Sequence, residues 1–320
     1  MRRSGGVRPL FSSVLCPVDF SDHSRVALEF AAAISTRAGG TLQLLFVNDP
    51  LLVAAAAAAY NTASLGAATE VELKRFAAST LSPRRLATAS PGVSTALGKP
   101  GREILRAVDR GQHDAIVMGS KGLNGARRLL LGSTTSAVLR HAKVPVLAVP
   151  PADAWPDRFG GVPASWPGRK IVAAIDPGAN AARDVRRAAD VARWFGASVV
   201  LLHVVPLPAM PPWFSGDIEA QLRIHCDDAE AALEAQRAKL TDVRSTALVR
   251  IGHPPDEIAA VAAEQKAGLI VMALRGRGGL FGEPAWSIAY QVLCHGVAPV
   301  LAMPDIRRPA RRRTSGRTAG

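Results

Sequence analysis

The stretch Asp114-Ala-Ile-Val-Met-Gly-Ser-Lys-Gly122 is the strongest indication of the fold, because a second copy of its pattern stands 154 residues further along the chain. That copy reads Gly268-Leu-Ile-Val-Met-Ala-Leu-Arg-Gly276. In both copies an apolar run leads into a segment with glycine, which is typical of a buried parallel strand followed by a loop. A repeat at about one domain length predicts two similar domains rather than a solenoid.

Two other segments repeat at nearly the same distance. Pro145-Val-Leu-Ala-Val-Pro150 returns as Pro299-Val-Leu-Ala-Met-Pro304 at the offset of 154, and Leu44-Leu-Phe-Val47 returns as Leu201-Leu-His-Val204 at an offset of 157. Between the copies, residues 150–168 contain five prolines and three glycines, which predicts a linker. The predicted parts of the chain are a first domain at 10–150, a linker at 151–168, a second domain at 169–305 and a basic, disordered tail at 306–320.

Strand and helix signals alternate through each copy. In the first copy, the β-rich run 12–18 precedes a helical stripe at 27–34, and the apolar run 42–47 is typical of a buried strand. Further strands are predicted at 93–97, 115–118 and 144–149, and helices in the region before residue 81, at 103–108 and at 134–139. This alternation predicts an α/β fold of two tandem, doubly wound, parallel five-stranded sheets with helices on both faces. Ligands bind such sheets at the carboxyl ends of the strands.

The composition excludes several classes of protein. Hydrophobic residues make up 48% and charged residues 20% of the 320 residues, which is the balance of a folded chain and not of a disordered one. No apolar run approaches the roughly 18 residues that a bilayer span needs, and the first residues lack the apolar core of a signal peptide. We therefore expect no membrane partner.

The net charge of +13 is concentrated at the two ends of the chain. Residues 1–9 contain three arginines, residues 307–320 contain six, and neither segment contains an acidic residue. Such a tail is typical of a disordered end, and nucleic-acid binding through it stays open as an alternative.

The cysteines carry little structural information. Cys16, Cys226 and Cys294 are far apart and form neither a metal-binding pattern nor a disulfide framework. We therefore expect no metal site and a reducing, cytoplasmic compartment.

A candidate phosphate site follows the predicted fourth strand. Gly119 and Gly122 come first, and Gly132 and Ser133 follow after nine intervening residues. Glycines let backbone N–H groups approach an anion closely, and Ser133 with Thr134 would begin a helix whose N-terminus carries free donors. The chain contains no G-x-x-x-x-G-K-[ST] pattern, which excludes a P-loop.

These residues resemble a known family. The pattern G-x2-G-x9-G-[ST] at Gly119, Gly122, Gly132 and Ser133 resembles the ATP-binding motif of the universal stress protein family. Three more segments are similar to that family: the opening run 14–24 with its aspartate, Gly98-x-Pro100, and the closing run 145–149. The resemblance covers residues 12–150 and 169–304. It implies the adenine nucleotide alpha hydrolase-like fold and a role in stress response.

The resemblance also implies a ligand, which is ATP or a related adenine nucleotide, with or without Mg²⁺. Asp19 would face the nucleoside, Val47 the adenine, and the glycines and hydroxyls the phosphates. The implied site residues are Pro17, Val18, Asp19, Val47, Met118, Gly119, Gly122, Gly132, Ser133, Thr134 and Thr135. Two alternatives stay open: Asp19 could cap the following helix, and Lys121 could point into solvent instead of reaching a phosphate.

The family's habit of dimerising through its fifth strand implies an intrachain pseudo-dimer here, in which 144–149 pairs with 301–303. Assembly into a homodimer stays open.

The second copy departs from the glycine pattern, because Ala273 stands at the position of Gly119 and Trp286 at that of Gly132, and Glu283 adds negative charge. We therefore expect one nucleotide per chain, bound by the first copy.

Three functions remain to be compared. Fast phosphoryl transfer needs a placed metal, a positioned nucleophile and cationic groups, and no such set accompanies the glycine loop. His113 precedes the fourth strand and so lies away from the carboxyl end, where ligands bind. His23 is interpreted as a solvated loop residue. The favoured function is a nucleotide-binding regulatory protein of the stress response with no catalytic residues. The alternatives are a slow ATPase or phosphotransferase, and nucleic-acid binding through the arginine tail.

Overall fold

The computed structural model describes residues 10–51, 53–54, 65–120, 132–150, 162, 165–207, 218–274 and 285–305. Several features singled out in the sequence lie outside these ranges. They are Lys121, Gly122, Glu283, Gly276, Trp155 with most of the linker, the arginine tail, and the side chain of Trp286.

Strands and helices alternate in both halves of the chain. The first half (residues 10–150) contains β1 (Ser13–Pro17), α1 (Asp22–Ala38), β2 (Thr41–Asn48), α2 (Leu65–Thr80), α3 (Pro83–Ala89), β3 (Gly92–Leu97), α4 (Pro100–Gly111), β4 (Ala115–Gly119), α5 (Ser133–His141) and β5 (Val146–Val149). The second half (residues 169–305) contains β6 (Lys170–Ala174), α6 (Ala181–Phe195), β7 (Ser198–Val205), α7 (Ile218–Arg237), β8 (Ser245–Ile251), α8 (Pro254–Glu264), β9 (Ile270–Leu274), α9 (Ala285–His295) and β10 (Val300–Pro304).

The ten strands form one continuous sheet in the order β3-β2-β1-β4-β5-β10-β9-β6-β7-β8. Within each half all strand pairs are parallel, and the two halves have the same strand order. This confirms the predicted doubly wound parallel sheets. The halves join where β5 pairs with β10 in the antiparallel sense, with Leu301 opposite Leu147. The fifth strands thus pair within the chain, as the sequence led us to expect.

Helices cover both faces of the sheet, and each face has one core that extends across both halves. Leu28 of α1 and Val185 of α6 belong to the core on one face. Ile104 of α4 and Ile258 of α8 belong to the core on the other face. The central strands are buried on both sides, which explains why they read as unbroken apolar runs in the sequence.

The two halves repeat a turn that only glycine accommodates. Gly98 has φ 148° and Gly252 has φ 153°, so both occupy backbone conformations that other residues rarely adopt. A Cβ on Gly98 would lie 2.9 Å from the Glu103 side chain, and a Cβ on Gly252 would lie 2.9 Å from the Glu257 side chain. The Gly-x-Pro pattern therefore marks the same turn before α4 and α8.

One short helix was not predicted. α3 begins after Ser82, whose hydroxyl accepts the Arg85 N–H at 3.4 Å, and Pro83 occupies its first turn. The sequence suggested a single helical region ending near residue 81, but proline is tolerated in a first helical turn and a capping serine precedes it, so a second helix starts there.

The end of the linker packs against the core. The Trp166 indole N–H donates to the Gly268 carbonyl at 2.8 Å, and the ring meets Phe30 and Phe195 edge-on at centroid distances of 4.8 and 5.1 Å.

Among the helices that the structure describes, none has the length and hydropathy that crossing a membrane requires.

Candidate functional site

The candidate site lies where the winding of the first half reverses. β1 is flanked by β2 on one side and by β4 on the other, so connections from its two neighbours lead in opposite directions across the sheet. A crevice forms at the carboxyl ends of strands at such a switch point. Asp19 follows β1, Gly119 ends β4, and Val47 lies near the end of β2.

Asp19 holds the start of α1 through two hydroxyl groups. Its Oδ1 atom accepts the Ser21 hydroxyl at 2.5 Å, the Ser24 hydroxyl at 2.8 Å and the Ser21 N–H at 3.2 Å. Ser21, and not Asp19, is the N-cap of α1, because its Oγ accepts the Ser24 N–H at 3.2 Å. Asp19 therefore orients the cap rather than forming it, and contact with the nucleoside stays a prediction.

The end of β4 lies against the first turn of α1. A Cβ on Gly119 would lie 3.1 Å from the His23 carbonyl oxygen, a tighter contact than most Cβ atoms make, so glycine suits this close approach. His23 belongs to that helical turn, and its buried Nδ1 atom has no hydrogen-bond partner among the described residues. Its interpretation as a solvated loop residue is therefore wrong, because His23 lies in α1 and is half-buried.

The start of α5 is fixed by backbone contacts from the end of β4. The Gly132 N–H donates to the Ser120 carbonyl at 3.0 Å, and the Thr135 hydroxyl donates to the Gly119 carbonyl at 2.9 Å. Gly132 is the N-cap and has no side chain, so among the described residues no side chain accepts the first-turn N–H groups of Ser133 and Thr134. This is the arrangement that binds anions at helix N-termini. Thr135 itself is buried and positions the helix.

Two unpaired polar atoms lie at this junction. Among the described residues, four buried side-chain nitrogen or oxygen atoms lack a hydrogen-bond partner, and two of them are His23 Nδ1 and Ser120 Oγ. An unsatisfied buried polar group costs about 1–3 kcal/mol, so native proteins keep few of them without a reason. Ser120 directly follows Gly119, and the His23 backbone lies against Gly119, so both residues belong to the junction where the sequence predicts the nucleotide.

The remaining predicted residues are distributed around the same crevice. Val18 and Met118 are buried, and Val47 is half-buried on the next strand outward. Pro17 ends β1, while Gly122 lies outside the described residues. Sequence reasoning missed Ser21, Ser24 and Ser120. The short distance in sequence between Asp19 and the two serines Ser21 and Ser24 was the signal that could have identified them.

Comparison with known proteins agrees with this geometry. The profile of the universal stress protein family matches residues 11–150 and again 168–304. The chain belongs to the universal stress protein family. The universal stress protein Rv1996 of Mycobacterium tuberculosis is 25% identical over 319 residues, covering 93% of this chain and 96% of the relative. YxiE of Bacillus subtilis is 28% identical over 154 residues, covering 44% of this chain and 99% of the relative.

Solved structures share the two-part fold. A functionally unknown protein, PA1789 of Pseudomonas aeruginosa, superimposes with a TM-score of 0.62 at 19% identity, covering 93% of this chain and 94% of that one. A universal stress protein of Archaeoglobus fulgidus gives a TM-score of 0.59 at 22% identity, covering 92% and 97%. At these identities the likeness is one of fold.

The second half of this universal stress protein lacks the hydroxyl pair of the first. Asp176, the counterpart of Asp19, accepts the Gly178 N–H at 3.2 Å. At the offset of 157, Gly178 and Ala181 stand where Ser21 and Ser24 stand in the first half. Ala273 lies near the end of β9, in place of Gly119. The two halves thus share strands but differ at the carboxyl ends.

Ion pairs and a hydrogen bond connect the start of α6 to the end of β10 in the second half. Arg183 contacts Asp305 at 2.5 Å and Asp184 at 3.4 Å, and Arg187 donates to the Pro304 carbonyl at 2.8 Å. These contacts hold the end of β10 to the helix. The first half has Val26 and Phe30 at the positions of Arg183 and Arg187, and neither side chain can form these ion pairs and hydrogen bonds.

We expect low pH to reduce the stability of the folded protein through His203 in the second half. Burial holds the pKa of His203 below its usual value of 6.5, although the Ile175 carbonyl and Asp176 oppose the shift. The unfolded chain then takes up a proton more readily than the folded one, so stability present above pH 6.5 is lost as the pH falls through the lowered pKa. We expect the free energy of unfolding, measured by urea denaturation, to decrease from pH 7.5 to pH 5. His203→Phe, which installs the residue of the first half (Phe46), should reduce that decrease, and an unchanged decrease would contradict the assignment.

Proposed function

We propose that the first half of this universal stress protein binds ATP or a related adenine nucleotide, with or without Mg²⁺. Binding would serve regulation in the stress response rather than rapid catalysis. The observation that carries the proposal is the meeting of an uncapped helix start with two unpaired buried polar atoms, beside Asp19 and at the switch point of the sheet.

Different residues of the chain would bind the phosphates, the ribose and the adenine. The N–H groups of Ser133 and Thr134 at the start of α5 would bind the phosphates, because they carry the partial positive charge of the helix. Asp19, held by Ser21 and Ser24, would accept hydrogen bonds from the ribose hydroxyls. Val47 and Met118 would contact the adenine from the neighbouring strands.

Slow ATP hydrolysis is a second candidate function, and His23 is the observation that favours it. The His23 backbone and Cβ atom lie against Gly119, and histidine is the side chain used most often in general acid–base catalysis. Phosphate release measured during incubation with ATP distinguishes a turning-over enzyme from a protein that only binds. Nucleic-acid binding depends on the tail, which lies outside the described residues.

Ser133→Asp tests the proposed phosphate site without damaging the helix. A carboxylate at the first position of α5 would repel the phosphates, yet negative charge is favourable in the first turn of a helix. We expect the affinity for ATP in calorimetry to fall more than tenfold, which corresponds to about 1.4 kcal/mol, with no loss of thermal stability.

The matched control is Ser287→Asp, which makes the same change at the corresponding position of α9 in the second half. This variant should bind ATP like the unmodified protein. Normal binding by Ser133→Asp, or no ATP binding by the unmodified protein, would show that the start of α5 is not a phosphate site.

A further inference from the structure

A second cleft lies between the two halves, far from the candidate nucleotide site. It has a volume of about 380 Å³ and is bordered by the end of α1, by α3, by Trp166 of the linker and by Phe195 at the end of α6. Arg37 in this cleft follows Asp22 by fifteen residues along α1, which is about 22 Å at 1.5 Å per residue. The cleft is within the size range of about 300–1,000 Å³ that small-molecule sites occupy.

The polar side of the cleft is cationic. Arg37, Arg84 and Arg85 line it together with hydroxyl groups, and none of the described residues that line it is acidic. Arg85 is partly neutralised, because it donates to the Val162 carbonyl and lies 3.9 Å from Glu29. The cleft therefore favours an anion.

Arg84 is the guanidinium that such an anion would meet first. It is exposed in the first turn of α3, and no hydrogen bond or ion pair joins its guanidinium to another group in the described parts of the chain. Arg37 keeps donors as well, since Nε and Nη2 donate to the Trp194 carbonyl at 3.2 and 2.9 Å while Nη1 does not. A guanidinium presents parallel N–H groups that match a carboxylate.

The apolar side of the cleft is rigid. Trp166 is fixed by its hydrogen bond to Gly268 and by edge-on contacts with Phe30 and Phe195. Arg37 in turn lies over the Phe195 ring, 5.5 Å from its centroid. Trp166 is 6% and Phe195 8% exposed, so each presents a small area of apolar surface to the cleft, and this fixed surface loses little entropy when an apolar group binds.

We propose that this cleft binds a small aromatic carboxylate. The carboxylate would pair with Arg84 and with the free donors of Arg37, and the ring would lie against Trp166 and Phe195. Since Arg37 belongs to the first half and Phe195 to the second, the ligand would contact both halves at once. This site is independent of the candidate nucleotide site, at the opposite end of α1.

The proposal is tested with 2-naphthoate as the probe and the full-length protein. We expect saturable binding in calorimetry that ATP does not displace and that Gly132→Trp leaves unchanged. Acetate, inorganic phosphate and uncharged 2-naphthol should each bind at least tenfold more weakly, because the site requires both charge and ring.

Arg84→Glu should weaken 2-naphthoate binding at least tenfold. The fold should tolerate it, because an acidic residue is favourable in a helical first turn. Arg102→Glu is the matched control: Arg102 is also exposed, also in a first turn that begins with proline, and lies on α4 at the other face of the sheet. It should change the affinity less than twofold.

Several results would overturn the proposal. They are no binding of 2-naphthoate at millimolar concentration, displacement of 2-naphthoate by ATP, equal binding of acetate, phosphate or 2-naphthol, and equal effects of the two arginine substitutions. Arg84→Gln, which removes the charge without reversing it, serves if Arg84→Glu fails to fold. Its expected effect is a loss of at least threefold, and an unchanged affinity would again contradict the proposal.

Discussion

Titration of the purified protein with ATP is expected to end at one nucleotide per chain. The first half offers Asp19 held by two serine hydroxyls, an uncapped α5 and the close approach that Gly119 permits. The second half offers Asp176 without those hydroxyls. In the sequence, Ala273 and Trp286 stand at the positions that Gly119 and Gly132 occupy in the first half, and both are bulkier than glycine.

Gly132→Trp transfers the largest of these differences into the first half. Gly132 has φ −60° and ψ 140°, which any residue adopts, and its N–H bond to Ser120 does not involve a side chain. The substitution should therefore leave the fold intact while the indole occupies the approach to α5. We expect the affinity for ATP in calorimetry to fall at least a hundredfold, about 2.8 kcal/mol.

The control for bulk alone is Gly66→Trp, which places the same side chain in α2, where no atom would lie within 4 Å of a Cβ added to Gly66. It should leave ATP binding unchanged. A stoichiometry of two, or normal binding by Gly132→Trp, would contradict the asymmetry between the halves.

Leu301→Ala should destabilise the protein by about 3 kcal/mol. Leu301 is 2% exposed on β10 and faces Leu147, also 2% exposed, across the antiparallel junction of the two halves. Removing a fully buried leucine leaves a cavity between tightly packed neighbours and typically costs about 2–5 kcal/mol. The free energy of unfolding from urea denaturation measures the effect.

Leu207→Ala is the control, because Leu207 is 62% exposed. It should change the free energy of unfolding by less than about 0.5 kcal/mol. A loss below about 1 kcal/mol for Leu301→Ala would mean that the junction contributes little to the stability of the joined sheet.

The meeting of several candidate-site residues at one edge of the sheet could be predicted from the sequence, because a motif places its residues through local structure, while their binding of a nucleotide stays a prediction. A strand that ends at Gly119 and a helix that starts at Ser133 bring those residues to one edge of the sheet whenever both elements form. The role of Asp19 was readable only in part. Its partners Ser21 and Ser24 are close in sequence, yet which of the three residues caps α1 depends on backbone angles that a sequence does not display.

The two copies, the order of their strands and helices along the chain and the parallel character of each sheet could be predicted from the sequence, because periodicity and apolar runs report local conformation and burial. Other features could be known only from the folded molecule. The pairing register of Leu301 with Leu147, the burial of His23 Nδ1 at the start of α1 and the cleft between Arg84 and Phe195 each depend on groups that are far apart along the chain or on different elements. Such contacts depend on how helices pack on the finished sheet, and that packing is a property of the whole core rather than of any one segment.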